Sequence, residues 1–242
     1  MKTKFFVTEL VAVLVLTFIF TSCEQDKNDP TPPDEFANDT NVPQGAINGK
    51  FSVGENKTVY FSKGNLMYLP CENRFRFQEK QYDRCAMLNN VYTTDNCWTW
   101  KYWIDLFFWG TSGWEDGVYD YRPGTRNNEN SYYYINDDMT QDMTGEYAKA
   151  DWGVYNKIKN GGNQEGLWRV LSADEIMYLF SERPNAGNLF AFGYVSGVNG
   201  MIIFPDNFVC PNNIPIKTYK EAGENPENNK LSSTEFALLE QL

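Results

Sequence analysis

Trp168-Arg169-Val170-Leu171-Ser172-Ala173-Asp174-Glu175-Ile176-Met177-Tyr178-Leu179-Phe180 is the stretch that gives the clearest structural instruction in the chain. Ser172 followed three residues later by Glu175 forms a capping box. The serine oxygen accepts from the backbone N–H of residue 175, and the glutamate reaches back to the N–H of residue 172. Ile176, Leu179 and Phe180 then recur at i, i+3 and i+4, which gives a helix with one apolar face. The same pattern predicts a second helix from Ser232-Ser233-Thr234-Glu235, with Phe236, Leu239 and Leu242 on its apolar side. The two starts, Leu171-Ser-Ala-Asp-Glu-Ile and Leu231-Ser-Ser-Thr-Glu-Phe, lie 60 residues apart. Capping boxes are common, so this is read as two helices capped alike and not as a repeat.

Before and between these helices the chain reads as β. Lys50-Phe51-Ser52-Val53 and Thr58-Val59-Tyr60-Phe61 flank Gly54-Glu55-Asn56-Lys57, a hairpin signature. Arg74-Phe75-Arg76-Phe77 alternates as a half-buried strand does. A second hairpin is expected between Phe190 and Phe204, with its turn in Ser196-Gly197-Val198-Asn199-Gly200, where Asn-Gly is a strong turn signal. The fold class expected is α+β, mainly antiparallel β with a few short helices.

The N-terminus carries a different message. Met1-Lys-Thr-Lys precedes an apolar run from Phe5 to Phe20, and Thr21-Ser22-Cys23 follows. A positive start, an apolar middle and small residues before a cysteine make a secretory leader. The run is 16 residues long and Glu9 interrupts it, whereas a membrane span needs about 20 apolar residues. With cysteine as the first mature residue, the pattern is similar to a bacterial lipoprotein signal. Residues 1–22 are therefore expected to be removed and Cys23 acylated. Glu24-Gln25-Asp26 resembles the surface-export signal of lipoproteins of the Bacteroidota, which places the protein on the outer face of the outer membrane. Residues 23–42 hold Pro30, Pro32, Pro33 and many Asp and Asn, with Phe36 and Val42 their large apolar side chains. They read as a solvated tether. Residues 43–242 make one globular domain.

Composition narrows the chemistry. Without residues 1–22, which hold Lys2, Lys4 and Glu9, the chain has 19 basic and 31 acidic residues, a charge of −12. Such a surface repels phosphate backbones and anionic head groups. Nucleic acid is excluded as a partner, and membrane contact is left to the lipid anchor. Histidine is absent, which removes histidine triads, histidine zinc sites and the commonest general base. No cofactor, metal site or catalytic residue is assigned. Asp120, Glu129, Asp137 and Asp138 lie in an Asn-, Asp- and Tyr-rich insertion, 116–142, and without EF-hand spacing they read as solvated loop carboxylates. Cys71, Cys85, Cys97 and Cys210 form an even set that, in an exported protein, implies two disulfides of undetermined pairing.

Aromatic residues are 16% of the chain. Most fill a β-rich core, but they also suit surfaces that stack on sugars or peptides. Trp109-Gly110-Thr111-Ser112-Gly113-Trp114 sets two tryptophans around a Gly-rich turn, and Trp109 and Trp114 are the candidate ligand contacts. Burial of both in the core is the competing reading.

Trp168 to Phe180 resembles the Arg-Leu-Pro-Thr-x-x-Glu-Trp-x-Tyr pattern of the sulfatase-modifying-factor superfamily, formylglycine-generating-enzyme-like domains with a C-type-lectin-like core. Val59-Tyr-Phe-Ser-Lys-Gly-Asn-Leu66, Asp105-Leu-Phe-Phe-Trp-Gly-Thr-Ser-Gly113, Ala150-Asp-Trp-Gly-Val154 and Gly197-Val-Asn-Gly-Met-Ile-Ile-Phe-Pro-Asp206 resemble more closely the exported Bacteroides proteins that carry the Fibrobacter succinogenes major paralogous domain. The resemblance covers most of residues 45–242. It implies a partial C-type-lectin-like domain that is cut short at its C-terminus, because such domains continue beyond the second capped helix. Ile176 departs from the pattern, which has Trp there. Phe236, Leu239 and Leu242 are then expected to lack a cover. Three function classes follow: a cell-surface binding module for glycan or protein ligands, a carboxylate-based polysaccharide-degrading enzyme, and a structural or adhesive surface component. The first is preferred.

Overall fold

A computed structural model describes residues 41–85, 103–105, 107, 110–114, 143–211 and 214–240, with the backbone of 20–22 in addition. Cys23, most of the tether, Cys97, Trp109, the 116–142 insertion with its four carboxylates, and Leu242 lie outside the described residues.

The architecture is α+β, with small, mostly antiparallel sheets and short helices between them. The strands are β1 (Phe20–Ser22), β2 (Phe51–Gly54), β3 (Lys57–Val59), β4 (Leu66–Leu69), β5 (Arg74–Phe77), β6 (Trp168–Val170), β7 (Phe190–Val195), β8 (Val198–Ile203) and β9 (Lys230–Leu231). The helices are α1 (Trp152–Tyr155), α2 (Ala173–Met177), α3 (Tyr219–Ala222) and α4 (Ser233–Leu239). Strands β2 and β3, β4 and β5, and β1 and β6 pair antiparallel, and β7 stands between antiparallel β8 and parallel β9. Among the described residues no helix is long and apolar enough to cross a membrane.

The two expected hairpins form, and one turn is displaced. Glu55 and Asn56 connect β2 to β3, with Phe51 paired to Val59. In the second hairpin Val195 pairs with Val198, so the turn is Ser196-Gly197, and Asn199 and Gly200 lie in β8 opposite Tyr194 and Gly193. Ser196 and Gly197 take φ values of 51° and 81°, the left-handed pair that a two-residue hairpin requires. The Asn-Gly signal therefore misplaced the turn. Pairing from Val195 and Val198 lets Phe190 lie opposite Ile203 and lets Ala191 and Ile202 both enter the core.

Three apolar clusters sustain these elements. One gathers Leu66, Tyr68, Phe75, Phe77, Ile104, Phe107, Trp152, Ile158 and Trp168. The alternating burial of β5 supplies Phe75 and Phe77 to it, while Arg74 and Arg76 stay on the other face. A second lies under β7 and β8 and takes in Ile214, Ile216, Leu231 and Phe236. The third joins β2 and β3 to Leu171 and Leu179.

The expectation that the last helix is uncovered is overturned in part. Phe236 is buried and meets Tyr82 edge-on at 5.7 Å between ring centres, and Leu239 packs on the same cluster. Part of the cover, Tyr82, comes from about 150 positions earlier in the chain, and the rest from the cluster under β7 and β8. The disulfide expectation also fails. Cys71, Cys85 and Cys210 form no bond with one another, and any two-bridge pairing of the four cysteines needs one such bond.

Candidate functional site

The loop proposed for ligand contact is sewn into the domain. Thr111 and Ser112 are buried. The Trp152 indole N–H donates to Thr111 Oγ1 at 3.3 Å, Ser112 Oγ donates to the Lys149 carbonyl at 2.5 Å, and the Asn156 amide donates to the Ser112 carbonyl at 2.9 Å. Those partners lie in or beside α1, so the turn anchors α1. Trp114 is half-buried at its end. Trp109 is outside the described residues, and the two tryptophans are not shown together.

The strongest electrostatic cluster sits instead at the start of α2. Glu175 is buried and its capping box is complete: the Ser172 N–H donates to Glu175 Oε2 at 2.8 Å, and the Glu175 N–H donates to Ser172 Oγ at 3.3 Å. Arg169 donates to both carboxylate oxygens at 2.6 Å, and Lys57 of β3 lies 2.9 Å from Oε1. Burial alone would raise the Glu175 carboxyl. The two cations and the Ser172 N–H outweigh it and hold it at about 2. A carboxylate so fully occupied by cations is a structural clamp between hairpin β2–β3, β6 and α2. It has no free lone pair for acid–base work.

Asp151 makes the opposite case. It is buried, caps α1 by accepting from the Gly153 N–H at 2.9 Å, and accepts from the Val170 N–H of β6 at 2.7 Å. Burial dominates over these bonds and over the more distant Arg169, and pushes the carboxyl up to about 6. A raised carboxyl is a familiar mark of catalysis. Here both oxygens are spent on backbone N–H groups, so the role is structural. Arg183 is likewise buried, and it donates to the carbonyls of Phe204 and Leu189 and to Asp206.

An accessible cleft of about 490 Å³ lies elsewhere, where β7, the Ser196-Gly197 turn, β9 and the start of α4 meet. Tyr194, Gly197, Glu227, Lys230, Leu231 and Ser232 line it. The Tyr194 ring is half-exposed, Leu231 is buried beneath, and Glu227 and Lys230 pair at 2.6 Å on the open rim. The Lys230 ammonium and then the Tyr194 hydroxyl keep the Glu227 carboxyl below its ordinary value, and Glu227 in turn raises Lys230. Gly193 lets the segment before β9 approach closely: a Cβ there would meet the Asn229 carbonyl oxygen at 2.8 Å. Asn229 is buried, and its amide bridges the carbonyls of Phe192 and Lys217. The cleft thus offers an aromatic face, a carboxylate and an ammonium on a braced frame.

None of the cleft residues was singled out from sequence as a ligand contact; Gly197, Leu231 and Ser232 were read only as turn and helix-start residues. Tyr194 is one of 15 tyrosines, and the residues around it come together only through the parallel pairing of β9 with β7. Among described residues no group of acidic or cysteine side chains has the arrangement of a metal site. Comparison with family models, with curated proteins and with solved structures gives no match.

Proposed function

We propose that the protein is a lipid-anchored binding module of the cell surface, held at the outer membrane through Cys23 and taking glycan or protein ligands through its folded domain. Of these ligands the cleft favours a glycan. The observation that carries this reading is the pairing of the half-exposed Tyr194 face with the Glu227–Lys230 couple across one cleft. An aromatic ring stacks on the C–H face of a sugar, and adjacent carboxylate and ammonium groups bond its hydroxyls. The lining holds one carboxylate, Glu227, whereas glycoside hydrolysis ordinarily needs two flanking the scissile bond. Binding without turnover is therefore preferred over the polysaccharide-degrading alternative. The resemblance to the Fibrobacter succinogenes major paralogous domain, and a partial C-type-lectin-like core, belong to the same proposal.

A glycan array probed with the full chain tests it. Glycans should be retained by the native protein, and Tyr194→Ala should weaken the best of them by about tenfold, the worth of one aromatic contact. Retention of nothing, or equal retention by the variant, overturns the cleft reading. The anchor is tested separately: Cys23→Ser should release the protein from membranes, since attachment depends on the acyl chains.

A further inference from the structure

Gln78, Cys85 and Asp105 converge beside hairpin β4–β5, and none of them lines the cleft. Gln78 follows β5 directly, and its N–H donates to the Asn65 carbonyl at 2.9 Å. Ile104 exchanges both backbone bonds with Tyr68 of β4, at 2.8 and 2.9 Å, which sets Asp105 beside that strand. The loop from Gln78 to Cys85 folds back on the hairpin. The Asn65 amide donates to the Asp83 carbonyl at 3.0 Å, and the Gln81 amide donates to the Ser62 carbonyl. Gly64 permits this closure, since a Cβ there would meet the Gln78 carbonyl oxygen at 2.3 Å.

The loop thereby sets a thiol against a carboxamide, with one carboxylate touching both. Gln78 Nε2 lies 3.9 Å from Cys85 Sγ and donates to Asp105 Oδ2 at 2.7 Å. The same oxygen accepts from the Cys85 N–H at 2.5 Å, and the thiol also bonds to Asp105. Gln78 and Asp105 are buried, and Cys85 is half-buried. Gln78 Oε1 is shut away from solvent and finds no donor among the described residues. An orphaned carbonyl in the interior is costly, so a purely structural glutamine is poorly served here. Burial, and then the Asp105 carboxylate, push the Cys85 thiol up to about 12, so it is not poised for disulfide exchange.

We propose that Cys85 and Gln78 condense to an internal thioester, an acyl group that the half-buried site presents to primary amines. Sγ bonds to Gln78 Cδ, the Cδ–Nε2 bond breaks, and ammonia leaves. Asp105 takes the proton from sulfur and passes it to the departing nitrogen, the two groups its carboxylate already touches. The step needs no oxidant, and escape of ammonia into bulk water draws it forward. The braced loop replaces an encounter by a rotation of the Gln78 amide that brings Cδ onto the sulfur. A thioester carbonyl is a weaker acceptor than an amide carbonyl, so condensation relieves the orphaned oxygen. A primary amine then attacks Cδ: the C–N bond forms, the C–S bond breaks, and the amine's proton restores the Cys85 thiol. The chain's net charge of −11 gathers cationic amines such as lysine side chains. The product is a covalent link, distinct from the reversible binding proposed for the cleft.

Alkylation and methylamine treatment of the full chain test this. Denatured with a phosphine reductant, which opens disulfides, and treated with iodoacetamide, the chain should be alkylated at Cys71 and Cys210 and spared at Cys85. After the native chain is incubated with methylamine, Cys85 should alkylate, and Gln78 should carry an N-methyl amide in the tryptic peptide Phe77–Lys80. Cys85→Ala should leave Gln78 without the methyl group, and Asp105→Asn should leave Cys85 open to alkylation from the start. Hydrogen exchange of the Tyr194 amide, bonded to the Asn229 carbonyl at 2.8 Å, checks the fold of both variants. Full alkylation of Cys85 in the untreated native chain, or an unmodified Gln78 after methylamine, overturns the thioester. A spared Cys85 in Asp105→Asn overturns the proton relay assigned to Asp105. The two decisive readouts use the native sequence, so they stand even where a variant fails to fold.

Discussion

The starts of α2 and α4 share one local code and differ in what surrounds it. Each is a Leu-Ser-x-x-Glu capping box with both reciprocal bonds formed. At α2 the glutamate is buried against Arg169 and Lys57. At α4 Glu235 accepts only from Ser232, through its N–H at 2.7 Å and its hydroxyl at 2.8 Å, and lies at the surface. A capping box is therefore a local signal that nucleates a helix end. Its weight in the fold is set by charges that arrive from distant parts of the chain.

Substitution separates the two boxes most sharply. Glu175→Ala removes one cap and leaves the partly buried Arg169 guanidinium without its carboxylate, so it should cost about 3 kcal/mol in denaturant unfolding. Glu235→Ala should leave the unfolding midpoint nearly unmoved. Equal losses would break the comparison.

Next in size is Asp151, which ties α1 to the strand just before the first box. Asp151→Asn turns an amide N–H₂ toward one of two backbone donors and should cost about 1–3 kcal/mol at neutral pH. It should also remove a pH dependence. Because the folded carboxyl titrates at about 6, above its ordinary value, its favourable contribution is present at low pH and lost as pH rises through 6. Over pH 4–7 this is worth roughly 3 kcal/mol in the native chain and should vanish in the variant. Glu175 has the opposite sign. Held at about 2, it stabilises the fold above its unfolded value and stops doing so as pH falls toward 2. The part of the acid destabilisation below pH 4 that comes from Glu175 should therefore be lost in Glu175→Gln and kept in Glu235→Gln.

The smallest effect comes from Lys57, whose side chain is 37% exposed. Lys57→Met should cost about 1 kcal/mol or less, since Arg169 keeps the bidentate contact and solvent screens the rest. A loss as large as that of Glu175→Ala would mean that Lys57, and not Arg169, is the main partner.

Both boxes were legible in the sequence because capping is written within four residues. So were β2–β3 and β5, through hairpin chemistry and strict alternation. The partners of Glu175 were half legible. Arg169 stands six positions away, but Lys57 is more than a hundred positions distant and nothing local points to it. The turn between β7 and β8 was misplaced because Asn199-Gly200 carries a stronger intrinsic signal than Ser196-Gly197, and core register overrode it. Phe236 was read as uncovered because its cover, Tyr82, comes from the first half of the chain. The cleft was illegible for the same reason: Tyr194, Glu227 and Lys230 meet only when β9 lies beside β7.

Carbon-detected carboxyl titration of Glu175 and Glu235 in one sample tests the central claim most directly. Glu175 should titrate at about 2, and Glu235 should titrate above it while still somewhat below an ordinary glutamate, because backbone and hydroxyl bonds alone hold it. Two carboxyls titrating together would show that the two boxes sit in equivalent surroundings, and would contradict the account.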